Sequence, residues 1–467
     1  MQIPILNGIY ADGSPDFRTS YPRNLVPVPK QNGISQGYLR PGDGIVDSGT
    51  GPGIDRGGIE WKGVLYRVMG TSLVAISASN IVTTIGSVGA GDRVTFDYGF
   101  TYLAVASGGR LYLYDGVTLA QVTDPDLGTA LDVVWVDGYY MTTDGEFLVI
   151  TELNDPFAVN PLKYGSAEAD PDPIKALVKL RNEVYALNRN TIEVFDNVGT
   201  TGFPFQRISG AQIQKGCVGT HACCQFMGAI AFVGGGRNEA PSVWIGVNGN
   251  AQKIAGREID EILSEYTDSE LSGVYLEARA YLAHDQLIIH LPRHTLVYDG
   301  AASAVLSTSV WFSLSSAIVG NAIWSAQSLV WAYDRWNVGH PTDVKFGFLD
   351  HNNVSTHWGE IVGWDFATTI IYNNNAGAIF HDLELVALTG SATFGTDPTI
   401  WTQYSLDGVT WSVEKPIDAG GSGARNKRLV WLQQGWMRTR RIQRFRGTSD
   451  APIAIAALEA RIEALAR

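Results

Sequence analysis

Apolar and polar residues alternate along much of this chain in short runs, and the runs are punctuated by Gly, Asn or Asp. YLAVASGGRLYLYDG begins at Tyr102, EVYALNRNTIEVFDN at Glu183 and VLYRVMGTSLVAISA at Val64. Each stretch reads as a strand with one apolar face, a polar or glycine turn, and a second such strand, which is the pattern of a β-hairpin. QLIIHLPRHTLVYDG from Gln286 repeats it, and weaker copies start at Gly138, Ala229 and Ser328. Starts at residues 64, 102, 138, 183, 229, 286 and 328 give a mean spacing of about 44 residues. A period of this size with several strands per unit predicts a β-propeller of six or seven blades over residues 56–350.

The flanks follow other patterns. Residues 1–55 are rich in Gly, Pro and Asn and predict an extended N-terminal arm that wraps a neighbour more readily than it folds alone. Residues 351–467 predict a C-terminal, β-sandwich-like domain with LELVAL, WTQYSLDGVTWSV and RLVWLQQGWMRTRRIQRF as candidate strands. The tail IAIAALEARIEALAR is helical by its Ala, Leu and Glu content and strand-like by the alternation of IAIA. Both readings stand for it: a terminal strand or a short helix.

Composition narrows the function. Only 17% of the 467 residues are charged while 45% are hydrophobic, so much of the surface is uncharged and suits large interfaces. A net charge of −13 argues against a general nucleic-acid binder, because phosphate attraction needs a positive face. Cys217, Cys223 and Cys224 lack metal or disulfide spacing and are expected to be free, mostly buried thiols of a reducing compartment. The N-terminus lacks a basic start and apolar core, and no apolar run is long enough to span a membrane, so a cytoplasm is expected and no membrane anchor.

Candidate chemistry is sparse. His290 and His294 flank Pro292 and Arg293 in the turn of one repeat; a metal would need further ligands, and the pair reads as part of a turn. Ser405–Trp411 (SLDGVTW) resembles the Asp-box turn of sialidases with one residue missing, but it is solitary and outside the repeats. Gly86–Asp92 is glycine-rich without the Lys-Ser or Lys-Thr of a phosphate cradle, and reads as a connection between blades. With no nucleophile elbow, zinc-protease pair or close carboxylate dyad, the chain is expected to be neither an enzyme nor a cofactor or metal binder. Residues 419–448 contain no acid but do contain Arg425, Lys427, Arg428, Arg438, Arg440, Arg441, Arg444 and Arg446. The last five are candidate contacts to a partner subunit in preference to DNA, as are Tyr21, Arg23, Tyr38 and Arg40 of the arm.

Several stretches together resemble the packaged-DNA stabilisation proteins, or tail hub proteins, of short-tailed bacteriophages. They are Gly37–Arg40 (GYLR), Ile213–Gly216 (IQKG), Ala240–Ile245 (APSVWI), the run to Tyr266 and Thr267, Leu287–His294 (LIIHLPRH) with Leu296–Asp299 (LVYD), and Lys427–Trp431 (KRLVW). They keep the family's order along nearly the whole chain; the Ala- and Glu-rich extension after Ile455 departs from it. The resemblance implies a structural virion protein in six copies around the tail axis, below the portal-adaptor ring. It also implies partners: the portal adaptor, a tail needle, tailspikes, and packaged double-stranded DNA retained without sequence-specific binding. The rival reading is a tail-associated propeller that binds glycan or hydrolyses glycosides, which requires a carboxylate pair or an aromatic platform at one end of the propeller axis.

Overall fold

The alternating runs become strands because neighbouring sheets bury both of their faces. The computed structural model describes residues 1–10, 18–29, 37–374, 376–392, 394–450 and 452–465. The hairpin at Tyr102 forms strands Leu103–Ser107 and Arg110–Tyr114. Gly108 and Gly109 join them at φ 57° and 76°, a backbone that glycine enters without steric cost. All five residues of Leu103–Ser107 are buried.

The chain makes two compact units, residues 47–292 with 325–348, and residues 1–46 with 293–324 and 349–467. In the former, successive antiparallel sheets begin with strands Asp55–Trp61, Thr95–Tyr98, Asp132–Val136, Ile174–Leu180, Cys223–Phe226, Tyr275–Tyr281 and Gln327–Ala332. Each first strand lies beside the first strand of the next sheet, and Gln327–Ala332 lies beside Asp55–Trp61, so the series closes into a ring. Gly51 N–H donates to Val344 O at 2.8 Å, tying the start of this unit to its last sheet. Between the first and second sheets Trp61, Tyr66 and Val68 pack on Val105, Tyr112 and Tyr114. Between the third and fourth, Met141 and Ile150 meet Val184 and Phe195, and closure packs Leu65, Met69 and Val74 on Val330 and Phe346.

The repeats at 64, 102, 138, 183 and 229 supply the second and third strands of their sheets, and the repeat at 286 supplies a second strand, His284–His290. The copy at 328 is out of register. SLVWA lies in the first strand of its sheet and KFGFLD in the third, with Arg335–Gly339 between them. First strands such as Thr95–Tyr98 and Cys223–Phe226 are short and only half-buried, so alternation marks them weakly.

Two larger sheets stand out in the second unit, beside a short pair formed by Gly8–Tyr10 and Arg18–Ser20. One runs in the order Leu25–Pro29, Gly37–Pro41, Ala454–Ala464, Ala378–Leu388, Leu429–Met437, with Gln2–Ile3 also paired to Ala454–Ala464. The other runs Gly363–Ala367, Arg440–Thr448, Thr399–Ser405, Lys415–Asp418. Leu25, Leu39, Phe380, Leu383 and Leu458 from the first share a core with Phe366, Ile400 and Phe445 from the second. Gln2–Ile3, Leu25–Pro29 and Gly37–Pro41 of the N-terminal segment are thus woven into this unit, and the C-terminal tail is a strand.

Candidate assembly surfaces and the axial polar cluster

Strand alternation divides the basic strip. Arg440–Thr448 lies inside its sheet, with Arg441 turned inward and fully buried. Its guanidinium donates to Gln443 Oε1 at 2.8 and 3.0 Å and to Gln434 O at 2.6 Å. It lies between the Phe380 and Tyr404 rings, 4.3 and 3.9 Å from their centroids. Burial brings its pKa down to about 10, so it stays charged at neutral pH. Arg444 approaches Asp365 at 3.6 Å and Arg446 pairs with Glu414, with Trp411 and Trp401 beneath the two guanidiniums. Arg440 is half-buried near the carbonyls of Leu406 and Asp407, and Arg438 is exposed in the turn.

The arm residues divide in the same way. Arg23 is buried, donating Nε to Asp365 Oδ2 at 2.7 Å and its terminal nitrogens to the carbonyls of Ala317 and Ile318. Arg40 is partly buried against Asp43 and His351. Tyr21 and Tyr38 are half-buried. Arg23 and Arg441 therefore hold the unit together from within, while Arg438, Arg440, Arg444 and Arg446 keep surface.

In the propeller-like unit, a buried polar grouping lies where the first strands converge. Glu277 accepts from Ser328 N at 2.7 Å and Leu329 N at 2.5 Å, and has His290 Nε2 at 3.4 Å and Arg93 at 3.9 Å. Arg93 covers the Tyr275 ring at 3.5 Å and donates to Gln327 Oε1 and Ser328 Oγ, each at 3.2 Å. Arg93 thereby joins the second sheet to the sixth and seventh, which only the axis of the ring allows. Burial pushes the Glu277 carboxyl up, but His290, Arg93 and the Leu329 amide outweigh it and bring the value to about 2. Burial drives His290 down, only partly offset by Glu277, and Arg93 stands as a second countercharge beside it.

His290 stacks on Tyr275, ring centroids 4.1 Å apart, and residues 292 and 293 form a bend. Among the described residues, no three or more His, Cys, Asp or Glu side chains are grouped to hold a metal. In the glycine-rich connection the carbonyls of Gly89 and Asp92 accept from Arg56 at 2.8 and 2.6 Å, so it presents oxygens to a cation instead of amides to a phosphate. Asp407 caps its own turn, accepting from Val409 N and Thr410 N at 2.8 Å. All three cysteines are free, Cys217 buried and the other two partly so. No helix among the described residues is long and apolar enough to cross a membrane. Sequence reasoning missed Glu277 and Arg93; a lone buried charge gives no periodic signal, and only ring closure brings the two together.

A ring of sheets and a two-sheet sandwich, with buried charges spent on internal hydrogen bonds, define a structural scaffold. The chain belongs to the Bacteriophage P22 Gp10 family: residues 1–354 match its β-propeller description and residues 363–463 its β-sandwich description. It is 27% identical to the tail hub protein gp10 of Salmonella phage P22 over 484 aligned positions, covering 99% of each chain. The family is a structural tail hub family and not an enzyme family, which removes support from the glycan-binding or hydrolase reading. Among solved structures, the Pan2 WD40 domain of Neurospora crassa covers 65% of this chain and 90% of its own at 10% identity and TM-score 0.42. The N-terminal domain of Nup159 covers 71% and 98% at 8% identity and TM-score 0.40. These are partial likenesses, and the assignment rests on the family match.

Proposed function

We propose that this protein is the tail hub of a short-tailed bacteriophage particle, acting without chemistry. Copies of the chain, six by the family resemblance, assemble below the portal-adaptor ring, close the channel on the packaged genome together with a tail needle, and support tailspikes. The chain is made in the host cytoplasm and ends in the virion tail. Residues 56–350 serve as the propeller, residues 351–467 as the C-terminal domain, and the segment before them as the arm.

The observation that carries this reading is the match along 99% of both chains to a tail hub protein. A second supports its mechanical character. The axis of the propeller-like unit holds Arg93, Tyr275, Glu277 and His290, so a DNA conduit has to run between copies instead of through one chain. A net charge of −13 on each copy repels phosphate, so retention comes from steric closure and ejection meets weak wall contacts. Arg438, Arg440, Arg444 and Arg446, with Tyr21 and Tyr38, are the side chains offered to neighbouring subunits, where guanidinium forks meet carboxylates.

Particles assembled without this protein should package DNA and then lose it, and adding the purified chain should stop the loss. Retention of DNA by particles lacking it, equal to that of complete particles, would reject the hub reading.

A further inference from the structure

The propeller-like unit has two ends, and they differ. In a four-stranded antiparallel sheet, the turn between the first and second strands and the turn between the third and fourth lie at the same end. Contacts between modules confirm the grouping. Asn182 and Asn197 both donate to Asp137, at 2.8 and 3.0 Å, and Arg335 donates to Asn80 at 2.6 Å.

Exposed apolar side chains gather at this end. From the first turns come Phe100, Met227 and Leu282, with Phe100 89% exposed, and Trp331 lies in the strand Gln327–Ala332 just before the first turn of the last sheet. From the second come Ile81, Val117, Leu153 and Val198, with Val117 87% exposed. Every sheet of the ring contributes at least one. The opposite end shows fewer, of which Leu162, at 87%, is the most exposed.

Two of these side chains occupy backbone that disfavours them. In every sheet but the second, the first turn opens on a residue with positive φ, as at Lys62, Asp137, Arg181 and Tyr333. Met227 and Leu282 stand at the equivalent position, each at φ 49°, and Ala283 follows at 61°. Asn, Asp and Gly are the residues that such turns favour. An apolar side chain held there, half in water, carries strain with no benefit to the isolated fold.

The charges at this end have one dominant sign. Asp115, Asp137, Asp155, Asp196 and Asp334 are exposed, against Lys62 and Arg181. Carboxylates around apolar tips repel DNA and anionic lipid alike, and pairing this end with itself on a second copy would set carboxylate against carboxylate. The complementary surface is apolar at its centre and carries lysines or arginines around it.

We infer that this loop end is a docking surface for a different structural protein of the particle, one that presents a basic rim around apolar side chains. The inference rests on the reading of the chain as a tail hub and names a surface and a partner chemistry for it.

A photoactivatable benzophenone side chain is placed at position 100, or at 282, and at 162 as a control on the opposite end. Particles are assembled, irradiated and mapped by peptide mass spectrometry. Positions 100 and 282 should capture Lys- or Arg-containing peptides of one other particle protein, and position 162 should not. Capture of this chain's own peptides, of DNA, or of nothing in particles that contain the chain would overturn the inference and leave the hub reading standing; absence of the chain from otherwise complete particles would instead overturn the hub reading. As a second arm, Phe100→Asp with Leu282→Asp should leave the melting of the purified chain nearly unchanged. The same variant should reduce incorporation of the captured protein about tenfold or more. Undiminished incorporation would overturn the inference even if crosslinks formed.

Discussion

The two units bury arginine in opposite ways. Arg67 in the propeller and Arg441 in the sandwich are both fully buried. Arg67 Nη1 donates to Asp55 Oδ1 at 2.8 Å, with both side chains at 0% exposure. Arg441 is held by neutral oxygens and two aromatic faces. The first arrangement depends on a partner that is itself costly to bury alone; the second does not. The units also differ in assembly. Except for the last, which begins with Gln327–Ala332 and also takes Gly44–Thr50, the propeller sheets arise from consecutive residues, whereas the six-stranded sheet draws on residues 2–3, 25–29, 37–41, 378–388, 429–437 and 454–464. Non-local pairing of this kind has to close long loops before it gains contacts.

The severest test of that contrast is deletion of residues 454–467. It removes the strand between Gly37–Pro41 and Ala378–Leu388 together with the buried Ile455 and Leu458. The sandwich should lose amide protection throughout while residues 55–290 keep theirs, read by hydrogen exchange. Equal loss in both would show that the two do not fold separately.

Next in size are the arginines themselves. Arg67→Leu strands a buried carboxylate and should cost about 3–5 kcal/mol in urea unfolding. Arg441→Leu leaves only neutral acceptors unsatisfied and should cost about 1–3 kcal/mol. A reversed order would mean that aromatic stacking, not charge pairing, governs these sites.

Acid should weaken the propeller through Glu277. Its folded value of about 2 lies below the ordinary 4.5, so its contribution is present above about pH 4.5 and is lost as pH falls toward 2. The full contribution is about 3 kcal/mol by linkage. Asp132 runs the other way: burial lifts it to about 7, so its contribution is present at low pH and is lost as pH rises through that value. Glu277→Gln should therefore be markedly less stable than the parent at pH 6 and nearly equal to it at pH 2.5. A gap that stays constant across this range would remove the carboxylate's role.

The smallest effect is expected at Arg438, exposed in its turn. Arg438→Glu should change unfolding by less than about 0.5 kcal/mol, so any defect in particle assembly would report on contacts to a neighbour.

Alternation and turn residues determined the second and third strands of most propeller sheets, because both faces of those strands are buried and glycine or asparagine closes their turns. They did not determine the first strands, whose half-exposed polar sequences such as CCQF carry little periodicity. That weakness shifted the copy at 328 by one strand. The tail at 454–464 shows a different limit. A bulge opposite Val386 and Ala387 lets Ile455 and Leu458, three positions apart, face the same core. A spacing of three is what a helix would give, so the letters supported two elements and the neighbouring strand chose one. The basic strip was legible as a run of arginines, but which of them point inward depends on strand phase and on the two sheets between which Arg441 lies. The pairing of Arg93 with Glu277, the gathering of apolar tips at one end of the ring and the capture of the N-terminal strands all join residues distant in sequence. Such contacts are decided when the ring and the sandwich close, because only closure fixes which distant side chains share a buried volume.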